Sequence, residues 1–257
     1  MTIEDPAVGW VSPPGWLDPG PAALLEMAGS RLQLVQSVID LDRFPDHPSR
    51  MIDLAEPLTR AALAVSRAPV QLVAQSGTQF ALGYADDPAG LARVRDDIET
   101  ACGKPVLIGA LTLIEALRAL DVGSAVIVGC YYDEAFLAAT STLFEAHGIR
   151  VAQASNWVRE GRFESQQAVD ALHWHYEERW GLDSLETLAA GRLPADCAFV
   201  VPGAGIRTVV AADALKAAAG RPVVGGDAAF LWAILRQLNL ARSDLARVPG
   251  GRLFRML

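Results

Sequence analysis

Short apolar runs alternate with helical patterns along almost the whole of this 257-residue chain. Helical segments at 87–103, 111–120 and 134–148 stand between such runs, and several end at a glycine suited to the position just past a helix. The runs with strand character are 8–12, 32–39, 70–74, 105–108, 125–128, 150–154, 198–201 and 222–224. Strands separated by helices of this length are typical of βαβ units. We therefore predict an α/β fold with mostly parallel sheets flanked by helices.

A weak internal repeat indicates that the chain consists of two similar halves. Residues 104–117 and 221–234 both begin with a basic residue, proline and valine, and each follows a strand, a glycine-bearing loop and a helix. Alternating α/β sequences can resemble themselves by chance, but the matched order of elements favours duplication. We predict two pseudo-symmetric domains across a cleft, the first formed by residues 1–113 and 228–257 and the second by residues 114–227.

Composition excludes several classes of partner. The formal charge is -8, the isoelectric point is near 5.0 and no Lys/Arg-rich run occurs, so we expect neither nucleic acid nor an anionic membrane as partner. The amino terminus is acidic, and no uncharged stretch approaches membrane-spanning length, so we expect a cytoplasmic protein. Cys102, Cys130 and Cys197 are odd in number and widely spaced, which indicates neither a disulfide framework nor a zinc motif.

One close pair of histidines is a candidate for a metal site. His173 and His175 lie two positions apart on a predicted helix, where they would point to different faces and could not share a metal ion. We predict instead a helix packed through Trp174 and Trp180, with the histidines at its rim. No metal site is expected.

Two strands lead into glycine-bearing loops that look like two halves of one pocket. The first loop is Ser76-Gly77-Thr78, and the second begins Pro202-Gly203-Ala204. Small side chains at such positions let a ligand approach the backbone closely, and ligands in open α/β sheets bind at the carboxyl ends of strands. We predict that these loops line the binding cleft.

Six motifs occur in order along nearly the whole chain: Gly9-Trp-Val-Ser-Pro-Pro14, Ser76-Gly-Thr78, the strand at 105–108 with its helix, Val128-Gly-Cys-Tyr-Tyr-Asp-Glu134, Gly203-Ala-Gly-Ile-Arg-Thr208 and the segment 222–232. Together they resemble the aspartate/glutamate racemase superfamily, within it the maleate isomerase and arylmalonate decarboxylase branch. The resemblance implies a cofactor-free active site between two domains. It also implies a small-molecule carboxylate substrate, and we expect a monomer or homodimer.

In that family the substrate carboxylate lies in a ring of hydroxyl and backbone N–H groups. By motif, Thr78 would offer its hydroxyl, Tyr131 its phenol, and the loop at Gly203 and Ala204 its N–H groups. Gln79 stands where the family often has a small hydroxyl residue, and its amide can also donate. Such neutral donors stabilise a carboxylate and the enediolate-like charge on a neighbouring carbon. The alternative is that Thr78 merely ends a strand and Tyr131 fills the core.

The resemblance extends the substrate site to further residues. They are Pro14, Ser76, Gly77, Tyr132, Pro202 and Arg207. Arg207 would bind a second carboxylate or, alternatively, form an ion pair with another part of the protein. Trp10, Trp16 and Tyr132 would form an aromatic wall, consistent with a substrate bulkier than maleate.

The chain departs from this family at its two cysteine positions. Racemases and isomerases of the family use one cysteine in each glycine loop, whereas arylmalonate decarboxylases keep only the second. By alignment these places hold Gly77 and Pro202, so cysteine-based racemisation or isomerisation is not expected. Cys130 is the one thiol close to the predicted site, and we interpret it as a core residue.

Asp227 is the best remaining candidate for proton transfer. It follows the strand at 222–224, where a buried carboxylate would have a raised pKa and could exchange a proton. The alternative is that Asp227 caps the helix that follows, and Asp133 and Glu134 have the same ambiguity after Tyr131.

With Asp227 and Tyr131 as catalytic candidates, the sequence predicts a cofactor-independent lyase or isomerase. It would act on a small organic carboxylate through a carbanion or enolate-like intermediate, in decarboxylase-like or elimination/hydration-like chemistry without catalytic cysteine. The alternative is a noncatalytic carboxylate-binding or interaction protein derived from the same fold.

Overall fold

The structure, a computed structural model, describes residues 5–14, 16–41, 53–84, 87–173, 175–248 and 251–257. Eight strands lie where the apolar runs predict them. They are β1 (Ala7–Ser12), β2 (Gln33–Val38), β3 (Leu72–Gln75), β4 (Val106–Ile108), β5 (Ser124–Val128), β6 (Arg150–Ser155), β7 (Cys197–Val201) and β8 (Val223–Gly225).

The helices lie between these strands. The α-helices are α1 (Gly20–Ala28), α2 (Ala55–Ser66), α3 (Pro88–Cys102), α4 (Gly109–Ala119), α5 (Glu134–Ala146), α6 (Gln166–Asp170), α7 (Glu178–Ala189), α8 (Thr208–Ala219) and α9 (Gly226–Gln237). Short 3-10 helices occupy Gly29–Arg31, Thr78–Tyr84, Arg242–Asp244 and Leu253–Met256. Within the described ranges, no helix is both long and apolar enough to cross a membrane.

The strands form two parallel four-stranded sheets with the same order. The first sheet runs β2-β1-β3-β4 and the second runs β6-β5-β7-β8, so each half places its second strand at one edge and its fourth at the other. The central strands β3, β5 and β7 are buried along their length because helices cover both faces of a parallel sheet. The predicted α/β fold is confirmed. Under the domain boundaries given above, which remain a prediction, each sheet falls within one domain.

The two halves meet through the helices that follow the repeated segments. α4 and α9 pack against each other, and Arg236 on α9 pairs with Glu115 on α4 at 2.6 Å. Leu113 and Leu117 of α4 share one buried apolar cluster with Phe230 of α9. This contact brings the carboxyl ends of β3 and β7 towards each other.

The helix predicted around the two histidines is wrong. α6 ends at Asp170 and α7 begins at Glu178, so His173 and His175 lie in the connection, where His173 has φ 48°. Trp180 does pack in the core, edge-on to Trp157 at 5.5 Å between ring centroids. Trp174 lies outside the described residues. The sequence between α6 and α7, residues 171–177, contains no glycine or proline, so local sequence does not mark the end of the helix there.

Candidate functional site

The two glycine loops touch each other. Thr78 Oγ1 donates to the carbonyl oxygen of Pro202 at 2.7 Å. Gly77, at φ 93°, adopts a backbone conformation that favours glycine, and its carbonyl carbon would lie 3.3 Å from a Cβ placed on Gly109. A Cβ on Gly226 would overlap the Pro202 carbonyl. Glycines therefore allow close approach of the two halves, in addition to any approach of a ligand.

A small cavity of about 20 Å³ lies beside this contact, which is room for about one water molecule. It brings together seven of the residues predicted to bind substrate, and Pro13 and Trp16 complete its lining. The seven are Pro14, Gly77, Thr78, Gln79, Tyr131, Gly203 and Ala204. A pocket of this size could hold at most one small group of a substrate, such as a carboxylate, rather than a whole substrate.

Tyr131 lies flat against the second loop. Its phenol oxygen accepts the N–H of Gly205 at 3.1 Å, and its ring stacks on Tyr176 with centroids 4.6 Å apart. A Cβ on Gly203 would lie 2.7 Å from Tyr131 Cζ, so glycine is needed there to admit the ring. Burial raises the pKa of Tyr131 well above its ordinary value, and the phenol stays neutral at physiological pH.

A larger cavity of about 110 Å³ adjoins the small one. The two cavities share Gly77, Thr78 and Ala204. Apolar side chains form much of the wall of the larger cavity, among them Trp10, Val209, Val210, Phe230 and Leu231. Its charged residues are Asp18, Glu26, Arg207 and Asp227. The cleft therefore offers a small compartment with hydrogen-bonding groups from both loops, next to a larger one that carries carboxylates, and both are lined mostly by apolar surface.

Asp227 lies in the first turn of α9, but it is not the cap of that helix. The N-cap position is held by Gly225. The Asp227 carboxylate instead accepts the N–H of Val209 at 3.1 Å, in the first turn of α8, together with the Thr208 hydroxyl and the N–H of Ala228 at 2.7 Å. Burial raises the pKa of Asp227, and these hydrogen bonds oppose that rise. A carboxyl group that holds its proton more tightly than usual thus faces the larger cavity.

Asp18 is a cleft residue that sequence reasoning missed. Its Oδ2 accepts from Trp10 Nε1 at 2.9 Å, Ser12 Oγ at 2.8 Å and Ser76 Oγ at 2.5 Å. Its Oδ1 accepts the N–H of Gly20 at 2.9 Å. The one local signal is an aspartate before Pro-Gly at a helix start, whereas its contact with Ser76 spans 58 positions. Asp18 joins β1, the start of α1 and the first glycine loop.

The remaining predicted residues divide between the cavities and the core. Ser76 and Arg207 line the larger cavity, and Arg207 is also paired with Glu178, as its ion-pair alternative predicts. Pro202 lines neither cavity, and Tyr132 is a core residue with 1% exposure. The proposed aromatic wall is thus divided, with Trp10 in the larger cavity and Trp16 in the smaller.

The acids that follow Tyr131 serve helix α5. Asp133 is its N-cap and accepts the N–H of Phe136 at 2.7 Å. Glu134 accepts from Asn156 at 3.0 Å and pairs with Arg159, and these contacts lower the pKa of Glu134. Both acids are accounted for by helix capping and a surface ion pair.

No thiol faces either cavity. Cys130 has φ 54° and is 2% exposed, and burial raises the pKa of its thiol well above the ordinary value. Cys197 begins β7 and is buried, whereas Cys102 ends α3 and is half-buried. In the described part of the chain, no three His, Cys, Asp or Glu side chains form a group that could hold a metal ion.

Comparison with solved structures shows where this fold occurs elsewhere. A double mutant of arylmalonate decarboxylase in its liganded form superposes with a TM-score of 0.77 at 18% identity, covering 98% of this chain and 100% of that one. A maleate isomerase of Pseudomonas putida gives 0.72 at 17% identity, covering 92% and 94%. A maleate cis-trans isomerase mutant of Nocardia farcinica with a covalently bound succinylcysteine intermediate gives 0.70 at 18% identity, covering 98% and 99%.

The chain thus shares its whole fold with these proteins, at sequence identities of 17–18%. Scans against models of protein families and against curated proteins give no match.

Proposed function

We propose that this protein is a cofactor-independent lyase or isomerase that acts on a small organic carboxylate without a catalytic cysteine. The substrate carboxylate would occupy the small cavity, and the rest of the substrate would lie in the adjoining apolar cavity. The observation that carries the proposal is this adjacency. The small cavity is lined by residues with hydrogen-bonding groups, namely Thr78, Gln79, Tyr131 and Ala204. It shares part of its wall with the larger cavity, which is lined by Asp227.

The fold neighbours support the kind of chemistry. Arylmalonate decarboxylase and maleate isomerase, by their names, act on carboxylates, and both share this fold over nearly the full chain. The cysteine in the covalent intermediate of the Nocardia farcinica isomerase has no counterpart on the cavity walls of this chain. A route that avoids thiol chemistry is therefore favoured here.

In the decarboxylase-like form, one carboxylate of a substituted malonate stays in the small cavity. The other leaves as carbon dioxide, and the electron pair of the broken bond remains on carbon as an enediolate delocalised into the retained carboxylate. Neutral donors in a dry pocket stabilise that charge. Asp227, whose pKa is raised, then protonates the carbon and recovers its proton from water.

Substrate binding requires a change at the loop contact. In the structure the single Thr78 hydroxyl proton goes to Pro202, so donation to a substrate needs that hydrogen bond to break. The predicted role of Thr78 as a donor therefore requires its hydroxyl to turn away from the Pro202 carbonyl when a carboxylate enters.

Proton NMR in deuterated water tests the proposal. Wild type would be incubated with arylmalonates, alkylmalonates and maleate, and the products analysed for deuterium and chirality. Asp227→Asn should slow turnover by about 100-fold or more, whereas Asp213→Asn, a change on the exposed face of α8, serves as the matched control.

The other outcomes separate the rival functions. Thermal stabilisation by carboxylates that Tyr131→Phe abolishes, without turnover of any substrate, would identify a noncatalytic carboxylate-binding protein. Neither turnover nor stabilisation across the panel would show that the cleft does not bind carboxylates.

A further inference from the structure

A second and larger concave site lies between α8, β8 and the carboxyl-terminal residues 251–257. It has a volume of about 650 Å³, within the usual range of roughly 300–1,000 Å³ for small-molecule sites. Residues of α8 from Thr208 to Ala217 form one wall, and Gly251 to Arg255 contribute to another. We call this site the basic groove.

The inner surface of the basic groove is apolar. Ala212 on α8, Val223 on β8 and Ala228 on α9 line it and are partly exposed, whereas Leu215, Val224 and Phe254 also border the groove but are at most 2% exposed. Leu120 and Leu253 add to the same surface. Such a surface favours an aliphatic or aromatic group that displaces water from it.

The rim carries an excess of positive charge. Lys216, Arg221, Arg252 and Arg255 line the groove, against one acidic residue, Asp213. None of the four cations forms an ion pair with a described carboxylate. Arg221 instead donates to backbone carbonyls of Pro194 and Ala195, which leaves its charge uncompensated. This concentration of cations stands out in a chain whose formal charge is -8.

We propose that the basic groove binds an amphiphilic anion, with its apolar body against Ala212 and Val223 and its anionic head group at the rim. Both parts are needed, because an apolar surface alone has no preference for charge and exposed cations alone bind weakly. The proposal is independent of catalysis in the cleft.

The basic groove adjoins the cleft through the start of α8. Thr208 and Ala228 line the groove and donate to Asp227, and Val209 lines both the groove and the larger cavity. An anionic ligand could therefore bind in either place, and the experiment must distinguish the two.

Isothermal titration calorimetry with dodecanoate below its micelle concentration tests the groove. Dodecyltrimethylammonium, with the same chain length and the opposite charge, is the matched ligand. We expect saturable binding of dodecanoate, at least about ten-fold tighter than that of the ammonium compound. Equal affinity for the two ligands, or no saturable binding, would overturn the proposal.

Two sets of variants locate the site. Combined Lys216→Gln, Arg252→Gln and Arg255→Gln should weaken dodecanoate binding about ten-fold. The control triple variant carries the same charge change at Arg67, Lys104 and Arg192, which also lack ion-pair partners among the described residues. It should alter the affinity for dodecanoate less than about two-fold. Tyr131→Phe in the cleft should likewise alter that affinity less than about two-fold. The ligand would bind outside the basic groove if only Tyr131→Phe lowered the affinity for dodecanoate. The same would follow if the two triple variants lowered it equally. If the rim triple variant does not fold, Arg252→Gln and Arg255→Gln singly must each reduce affinity.

Discussion

The hydroxyl of Thr78 donates a 2.7 Å hydrogen bond to the carbonyl of Pro202, which lies 124 positions away in the chain. Thr78 follows a strand of the first sheet and Pro202 follows a strand of the second. This bond therefore links the carboxyl ends of the two sheets at the cleft, in addition to the packing of α4 on α9.

Replacing Thr78 tests the stability contribution of this bond. Thr78→Val preserves shape but leaves the buried Pro202 carbonyl without its donor, which should lower the free energy of unfolding by about 1–3 kcal/mol. Thr78→Ser keeps the hydroxyl and should cost less. Urea denaturation measures both variants, and equal stability of the two would show that the bond contributes little.

Gly203→Ala should disturb the cleft through Tyr131. The added Cβ would meet Tyr131 Cζ at 2.7 Å and Tyr132 Cε1 at 3.1 Å, so we expect a loss of about 1–3 kcal/mol and a changed near-ultraviolet circular dichroism spectrum. Gly123→Ala is the control, because nothing lies within 4 Å of its added Cβ. An unchanged spectrum for Gly203→Ala would contradict the packing of Tyr131 on the loop.

Asp18→Asn should destabilise the protein even though the side chain keeps its shape. Four donors point at the carboxylate, and an amide NH₂ group must face at least one of them. We expect a loss of about 1–3 kcal/mol by chemical denaturation. Asp213→Asn, exposed on α8, should leave the free energy of unfolding unchanged. If the two variants behaved similarly, the hydrogen bonds by which Asp18 joins β1, α1 and the first glycine loop would contribute little to stability.

The raised pKa of Asp227 predicts a pH dependence with a definite sign. Burial raises this pKa above the unfolded value of about 3.9, so between the two values the folded protein binds more protons than the unfolded chain. The stability from this group is fully present below the unfolded pKa and is lost as pH rises through the folded pKa.

Asp227→Asn removes this titration. The free energy of unfolding of wild type minus that of the variant should fall as pH rises from about 3.5, and then level off once Asp227 is ionised in both states. Denaturant titrations at a series of pH values measure the difference. A constant or rising difference would mean that the hydrogen bonds from Thr208 and Val209 outweigh burial.

Thiol reactivity should follow burial rather than closeness to Tyr131. The thiolate is the reactive form, and burial raises the pKa of Cys130. We expect iodoacetamide to modify half-buried Cys102 first, with Cys130 and Cys197 reacting only in denaturant, as followed by mass spectrometry. Cys130→Ser should leave any turnover within a few-fold. Rapid labelling of Cys130 in the folded protein would instead indicate a reactive thiol beside the cleft.

The fold class was accessible from sequence because its determinants are local. Each of the eight strands coincides with a short apolar run that the printed sequence shows directly, and the ends of run and strand agree to within two residues. Hydrophobic burial depends on composition and period, not on the identity of a distant partner. The repeated order of elements likewise predicted two halves, which the matching strand orders of the two sheets bear out.

The hydrogen-bond partners in the cleft were decided by tertiary structure. The sequence places Asp227 at the start of a helix. Only the folded chain brings α8 next to it, so that the carboxylate accepts the N–H of Val209, 18 positions earlier. Asp18 went unnoticed because its donor Ser76 is remote in sequence, and the loops touch because α4 packs on α9. Sequence alone determined which segments must be buried, since burial follows from each side chain's own chemistry. Only the folded chain decided which polar groups meet, because a hydrogen bond requires two atoms within about 3 Å, and that distance depends on all the packing between them.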